Sequence, residues 1–473
     1  MIKFGTGGWR AVIGDDFTKE NIQILAKALV NKMKNEGVAE KGIVLGYDRR
    51  FLAKEAMQWA AMVFAKEGIK SFLINKSSPT PLVMFYVMKY DFPYGMMVTA
   101  SHNPAIYNGI KVFTAGGRDA DEIQTKDIED YIVDVQPSQV EEMEYELGTK
   151  TGIIKEIYPL NEYLDNIIAS IDMDAIRKAG LKVALDPLYG VSETSLKTIL
   201  LTARCEVETI HDRHDTLFGG KLPAPNATTL RTLQTYVLEH NCDIGIATDG
   251  DADRIGLIDD KGNFLHPNDI LVLLYYYLVK HKGWHGSVVR NIATTHMLDK
   301  VADRFGEKSY EVPVGFKYIS AKMQETNAII GGESSGGLTV RGHINGKDGI
   351  YAAALLIEMI AVTGKKLSSI MEEIREECGC IHMEERDYKF TNEKKEEMLK
   401  LLMEEKQLPQ LPKEIDHISY LDGSKVYFQN GGWVIARFSG TEPLLRIFCE
   451  MPDAESAKEV CEIYEEFLGL QDC

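Results

Sequence analysis

Apolar positions along the chain fall into two alternating textures. Short runs rich in β-branched residues are bounded by glycine, proline or acidic residues, and longer stretches repeat apolar residues at helical spacing. Residues 42–48 (GIVLGYD) predict a strand and residues 55–67 (EAMQWAAMVFAKE) an Ala-rich helix, with further strands over 70–75, 95–101 and 110–113. Residues 118–150 are acidic and read as a surface helix followed by a link. The rhythm restarts with a helix over 160–171 and strands over 182–186, 207–210 and 243–248. A third unit, starting near Lys261, predicts a helix over 270–280, strands over 287–290, 310–314 and 328–331, and a long helix over 350–362. Beyond the charged stretch 371–386 and a helix over 394–405, residues 425–429 and 433–438 flank Asn430-Gly431-Gly432, a hairpin signal. Strands alternating with helices mean α/β, and the last unit reads as α+β. No internal repeat is visible in the sequence.

Length sharpens this picture. At roughly 150 residues per domain, 473 residues correspond to about three domains. The net charge of −18 repels nucleic acid and anionic membranes, which removes both as expected partners. It leaves room for an anionic small molecule in a locally basic cleft. The longest apolar run, 270–279, is too short to span a bilayer, and the N-terminus has no apolar leader region. The seven cysteines include one close pair, Cys378 and Cys380, spaced C-x-C. An odd count without C-x-x-C pairs points to a reducing, cytoplasmic setting rather than a disulfide scaffold or a zinc site.

Three segments carry candidate chemistry. Residues 99–113 read TASHNPAIYNGIKVF. Ser101 follows a strand and lies on a turn, where α/β sheets display reacting groups, and Lys111 at the start of the next strand can return to the same rim. Residues 249–254 read DGDADR. In an extended loop Asp249, Asp251 and Asp253 point the same way and can share one hard cation. Position twelve of an EF-hand loop would be Asp260, and Leu257 would replace a ligand at nine, so Mg²⁺ with open positions fits better than a closed Ca²⁺ cage. Residues 437–446 read RFSGTEPLLR, in which hydroxyls, backbone N–H groups and two arginines form an anion cradle. Two weaker segments are GTGGWR (5–10), which lacks P-loop spacing, and GGESSGG (331–337), which offers Glu333 and Ser335 for hydroxyl recognition. Taken singly, each segment also fits a plain turn: a capping serine, a solvated acidic loop, an inter-strand connection.

Together and in order, GTGGWR, TASHNP, DGDADR, GESSGG and RFSGTEPLLR resemble the α-D-phosphohexomutase family of phosphoglucomutases and phosphomannomutases across the whole chain. The resemblance implies three related α/β domains and a smaller C-terminal α+β domain around a central cleft. On this chain they are expected at 1–155, 156–258, 259–375 and 376–473. It implies that Ser101 carries a phosphoryl group and that Asp249, Asp251 and Asp253 bind Mg²⁺ with it. Glu333 and Ser335 would read sugar hydroxyls, and Arg437, Ser439, Gly440, Thr441 and Arg446 would hold the distal phosphate. Arg10, His102, Lys111 and Arg254 would surround the reacting phosphate, with Lys111 a candidate acid/base. The implied enzyme is an isomerase of cytoplasmic carbohydrate metabolism, a monomer or homodimer, in which domain four closes over the cleft to exclude water. It would interconvert glucose 1-phosphate and glucose 6-phosphate through a phosphoserine and glucose 1,6-bisphosphate. Phosphomannomutase, dual-specificity, phosphopentomutase and phosphoglucosamine mutase activities stand as alternatives within the family.

One departure bears on specificity. Several relatives acting on both glucose and mannose carry a histidine directly after the Ser-Gly of the sugar loop, where this chain has Gly337. Lys317 is the cation expected to reach the cleft instead. Outside the mutase class, a metal-dependent phosphatase would use the same serine and aspartates but would have little use for a second phosphate cradle. A non-catalytic sugar-phosphate sensor would not need to keep the serine and all three aspartates.

Overall fold

The computed structural model describes residues 2–5, 7–438 and 444–470. Four sheets follow one another along the chain. In the first, Ile43–Tyr47 lies between the parallel strands Ser71–Ile74 and Tyr94–Val98. Ile154–Ile157 extends the parallel side, and the antiparallel Tyr107–Thr114 and Trp9–Val12 extend the other. In the second, Lys182–Asp186 lies between the parallel Glu206–Thr209 and Ile244–Thr248, followed by the antiparallel Ile255–Ile258 and Phe264–Leu265. In the third, Val288–Asn291 lies between the parallel Ser309–Val312 and Ile330–Gly332, and Leu338–Val340 closes the sheet antiparallel. The fourth is antiparallel throughout, in the order His382–Lys389, Leu444–Met451, Trp433–Phe438, Ser424–Phe428, Ile415–Ser419. The hairpin expected around Asn430-Gly431-Gly432 joins two of these strands.

This topology contains the repeat that the sequence hides. In each of the first three sheets the last parallel strand turns back into an antiparallel one, and the turns are residues 99–106, 249–254 and 333–337. In the fourth sheet, residues 439–443 join two adjacent strands, Trp433–Phe438 and Leu444–Met451. Three of the segments singled out for their chemistry thus sit at one recurring place, where a parallel strand gives way to an antiparallel one.

Burial explains the elements. Ile244–Thr248 and Tyr94–Val98 are buried at every position, as expected of strands covered by helices on both faces. Gly349–Thr363 is buried from Gly349 to Ile360, and a helix apolar nearly all round, with Glu358 paired to Lys282, belongs in a core. One apolar cluster runs from Val44 and Leu82 through Leu185 to Ile374, so the first three units share packing.

Several expectations are corrected. The amphipathic helix Lys19–Asn35 buries Ile22, Leu25, Leu29 and Met33 at helical spacing and is capped by the Thr18 hydroxyl. The acidic stretch holds the helix Glu122–Asp134, with an Asp121/Gln124 capping box, but the chain then returns to the first sheet through Ile154–Ile157 before moving on. The second sheet extends to Leu265, past the expected start of the third unit. The charged stretch 371–386 divides into the end of the helix Leu367–Cys378 and an exposed edge strand. Charge on an edge strand blocks further pairing and masks its strand character in the sequence. No helix among the described residues is long and apolar enough to cross a membrane.

Candidate active site

The loop after Tyr94–Val98 cannot continue as a strand through His102-Asn103-Pro104. Ser101 takes a left-handed φ of 49°, and its N–H donates to the Thr99 hydroxyl at 2.8 Å. A non-glycine residue in this region is strained and must be held. Arg50 holds it. Its guanidinium donates to the carbonyl oxygens of Ser101 (2.6 Å), Asn103 (2.7 Å), Pro104 (3.0 Å) and Tyr107 (2.9 Å). Asp48, buried beside Arg50 and accepting from the Thr99 hydroxyl, is pushed by burial to a pKa of about 6.

Ser101 is buried, and its hydroxyl donates to Asp249 Oδ2 at 2.6 Å. The aspartate loop is a turn rather than an extended segment, with Ala252 at φ 61°. The three carboxylates converge all the same, because the turn brings their oxygens within 4.8 Å of one another. Burial, then Asp251 and Asp253, push Asp249 well above the ordinary carboxylate range. Asp251 Oδ1 and Asp253 Oδ1 are buried without a partner. Crowded carboxylates with orphaned oxygens beside a serine hydroxyl fit a hard divalent cation such as Mg²⁺.

Lys111 lies in the middle of Tyr107–Thr114, opposite Met97, not at the strand's start as expected. Its ammonium donates to Asp251 Oδ2 and Asp253 Oδ2, each at 2.7 Å. Burial opposes its charge, but the two aspartates outweigh burial and hold its pKa above the ordinary lysine value. Thr80 donates to the same Asp251 oxygen at 2.6 Å. Arg254 donates its backbone N–H to Asp249 Oδ1 at 3.1 Å and pairs across a β-bridge with Gly337 of the third unit. Arg10 donates to the Asn103 side chain at 2.6 Å. The charge of Arg254, then burial and Arg10, push His102 well below the ordinary histidine value, so it is neutral at pH 7. One His102 ring nitrogen lies 3.3 Å from Ser101 Oγ.

In the third unit, Glu333 is buried and accepts from Asn291 Nδ2 (3.3 Å) and the Gly315 N–H (3.2 Å), with the Ser335 hydroxyl 3.5 Å from its other oxygen. Lys317 is turned to Glu122 of the first unit at 2.8 Å. The cation beside Gly337 is Lys347. A Cβ on Gly337 would lie 2.2 Å from Lys347 Cδ, and the Lys347 ammonium reaches Asp253 at 3.1 Å. In the fourth unit Arg437 and Arg446 face each other in register on the strands flanking residues 439–443. Arg437 is tied to Asp422 at 3.1 Å, and Asp422 also accepts the Val314 N–H of the third unit at 2.9 Å. Arg446 likewise has a carboxylate beside it, Asp387 at 3.4 Å. Ser439, Gly440 and Thr441 lie outside the described residues.

Comparison with known proteins follows the same order along the chain. Models of phosphoglucomutase/phosphomannomutase α/β/α domains I, II and III match residues 1–138, 161–262 and 266–378, and the model of the C-terminal domain matches 391–466. A phosphoglucosamine mutase of Acetivibrio thermocellus is 30% identical over 98% of this chain and 99% of its own. The chain belongs to the α-D-phosphohexomutase family. A phosphoglucomutase/phosphomannomutase of Thermococcus kodakarensis is 28% identical over 97% of each chain. The crystal structure of a protein assigned as a phosphomannomutase from Thermus thermophilus superposes with a TM-score of 0.85 at 28% identity, covering 99% of each chain. The four-domain α/β architecture of this phosphohexomutase is therefore shared along its length.

Sequence reasoning missed Arg50, Thr80, Lys347 and Asp422. Arg50 had a signal, because Asp48-Arg49-Arg50 follows a buried parallel strand just as the other site loops do. Lys347 had one in its neighbour Asp348, which caps a long, mostly apolar helix and so fixes the preceding residue at a helix entrance. Thr80 and Asp422 reach the site through contacts between distant segments, which no local pattern encodes.

Proposed function

We propose that this chain moves a phosphoryl group between the 1- and 6-oxygens of a hexose, with Ser101 as the carrier and glucose as the preferred sugar. The observation that carries the reading is the buried Ser101 hydroxyl, 2.6 Å from Asp249, in a cluster of three carboxylates and Lys111 that Arg10, Arg254 and Lys347 surround. Phosphoryl transfer needs in-line positioning and charge neutralisation. Asp249, Asp251, Asp253 and Ser101 would hold Mg²⁺, which when bound supplies positive charge to the phosphoryl oxygens. In one half-reaction a sugar hydroxyl attacks phosphorylated Ser101; its O–P bond forms, the serine O–P bond breaks, and the hydroxyl proton passes to a base. The bisphosphate turns end for end, and Ser101 takes the other phosphoryl group. Lys111, paired to two carboxylates, stays charged and serves electrostatically, which counts against its expected acid/base role. Neutral His102, beside Ser101 Oγ, and Lys347, beside the sugar loop, are placed to exchange protons. Arg437 and Arg446 would grip the distal phosphate, whose oxygens look alike in either orientation of the sugar.

The test is a coupled assay with Mg²⁺ and a trace of glucose 1,6-bisphosphate, offering glucose, mannose, glucosamine and ribose 1-phosphates in parallel. Fast isomerisation of the glucose ester, abolished by EDTA and restored by Mg²⁺, supports the reading. Release of inorganic phosphate without isomerisation sinks it in favour of a phosphatase. A second reading, glucosamine 1-phosphate as substrate, is favoured by the relative of that name at 30% identity, and the same plate decides between them.

A further inference from the structure

The aspartate turn, with its left-handed Ala252, is held by backbone contacts from all three α/β units. Within the second unit the Gly250 N–H donates to the Pro223 carbonyl, and the Gly250 carbonyl accepts from the Val191 N–H, each at 3.2 Å. The third unit adds the Gly349 N–H, which reaches the Ala252 carbonyl at 3.2 Å. The first unit adds Thr80, whose N–H donates to the Asp251 carbonyl at 2.9 Å. Among these residues Thr80 alone also grips a carboxylate, its hydroxyl donating to Asp251 Oδ2 at 2.6 Å. Backbone and side chain of one aspartate are thus tied to one residue of another unit.

Thr80 is well placed to hold them still. It opens the helix Thr80–Lys89, between Pro79 and Pro81, and its hydroxyl makes no capping bond to the helix. The first N–H groups of a helix have no partner inside it, and Thr80 gives its own to the aspartate turn. The helix lies tight on the first sheet. A Cβ on Gly46 would come 2.6 Å from a Val83 methyl, and one on Gly95 would come 2.5 Å from a Val87 methyl. Thr80 itself is 1% exposed.

The contact also selects an oxygen. Asp251 Oδ2 accepts from both Thr80 and Lys111, whereas Oδ1 has no partner. Lys111 bridges Asp251 and Asp253 and cannot by itself set the rotation of either carboxylate. Thr80 bonds to Asp251 alone. The terminal torsion of an aspartate is broad, so without the hydroxyl this carboxylate is free to turn. The turn in question also abuts the nucleophile loop, since a Cβ on Gly250 would lie 2.8 Å from the Ser101 carbonyl oxygen.

We propose that Thr80 is a positioning residue for the divalent cation: it fixes the Asp251 carboxylate to the first unit, so that the turn bearing the aspartates and the loop bearing Ser101 form one prepared site. The proposal rests on reading Asp249, Asp251 and Asp253 as a cation site. Partners that orient a metal ligand from behind commonly change metal affinity by about 10- to 100-fold when removed.

The test titrates Mn²⁺ into the full-length chain, freed of metal with EDTA, and reads free Mn²⁺ by electron paramagnetic resonance. Intact mass confirms that all variants carry the same phosphorylation. No sugar phosphate is present, so the readout is independent of the proposed reaction. Wild type should bind a Mn²⁺ ion that Mg²⁺ displaces and that Asp253→Asn loses. Thr80→Val keeps the volume and removes the hydroxyl, and should bind the ion about tenfold or more weakly, whereas Thr80→Ser keeps the hydroxyl and should stay within about threefold of wild type. Thr80→Ala carries the test if Thr80→Val does not fold. A role in packing alone would lower the melting temperature of the variants and leave Mn²⁺ affinity unchanged. That result overturns the proposal while the cation site stands. Equal weakening in Thr80→Ser and Thr80→Val would take the effect away from the hydroxyl and overturn it too. A wild-type chain that binds no Mn²⁺ removes the cation site, and the proposal with it.

Discussion

Gly337 and Lys347 compete for one volume, and this decides what the sugar loop offers a substrate. A side chain at 337 would run into the Lys347 methylenes 2.2 Å from its Cβ, so a residue there forces Lys347 to shift. Gly337→His should therefore push Lys347 aside. If Lys347 exchanges the substrate's proton, Lys347→Ala lowers kcat about a hundredfold or more. Gly337→His costs a comparable factor, and Lys347→Ala adds little on the Gly337→His background. Fully additive losses in kcat would show that the two positions act separately. At the nucleophile, Ser101→Ala should leave no mutase turnover while the melting temperature moves by only about 2 °C, because the hydroxyl's contacts are confined to Asp249 and His102. Near-normal turnover in that variant would remove the phosphoserine from the mechanism. These residue-scale features differ in legibility. Ser101 and the aspartates stand in compact motifs, whereas Gly337 and Lys347 are ten positions apart and meet only where the chain returns beside Leu338, whose carbonyl accepts the Asp348 N–H.

At the scale of elements, the buried parallel strands were the most readable part of the chain. Burial on both faces leaves a continuous apolar run, and the run near Ile244–Thr248 was placed to within a residue. Lys19–Asn35 escaped because Lys27, Lys32 and Lys34 interrupt its apolar stripe, and the aliphatic stem of Lys32 is itself buried. The conformation of the aspartate loop was misread for a different reason: convergence came from a turn through a left-handed Ala252, which spacing alone does not distinguish from alternation. The Ser101 loop depends on Arg50, whose fork spans four carbonyl oxygens and ties the end of one strand to the next connection. Arg50→Ala would leave those carbonyls in a dry site and release the strain at Ser101. We expect a stability loss of about 3 kcal/mol or more and at least about a hundredfold fall in kcat. Arg50→Lys, with a point charge in place of the fork, should recover the stability better than the rate. Urea unfolding and steady-state kinetics on both variants check this, and equal recovery of the two quantities would reduce Arg50 to a general stabiliser.

Across the whole molecule, one crossover arrangement recurs in three sheets, and the groups for reaction and sugar recognition come from loops far apart in sequence. The related topology was invisible in the sequence because layered packing accepts many apolar combinations. The seam between the third and fourth units is both apolar and charged: Ile292 and Ala293 pack on Trp433, Ile435 and Phe448, and Lys425 is wholly buried beside them. The Lys425 ammonium touches Glu311 (2.9 Å), the Ile292 carbonyl (2.7 Å) and His296 (3.1 Å). Arg290 pairs with the same Glu311 carboxylate at 2.5 Å. Arg290 also pairs with Asp299 at 2.6 Å, so two carboxylates face the two cations. Against burial, His296, Lys425 and Arg290 keep Glu311 ionised, and Arg290 cannot give up its proton. Lys425 is the cation that yields: burial, then Arg290, push its pKa down to about 7 from an ordinary 10.5. Between those values the unfolded chain binds a proton that the folded chain has released. This contribution to stability therefore grows as pH rises from 7 towards 10.5, and is lost as pH falls through 7. The slope is at most about 1.4 kcal/mol per pH unit. Lys425→Met keeps the length and removes the titration, while the other groups titrate in both proteins. The stability difference, wild type minus Lys425→Met by urea unfolding, should therefore climb by about 1–3 kcal/mol between pH 7 and 9. A difference that stays flat would mean that Lys425 keeps its proton throughout, and that Glu311 and the Ile292 carbonyl hold a full charge at the seam.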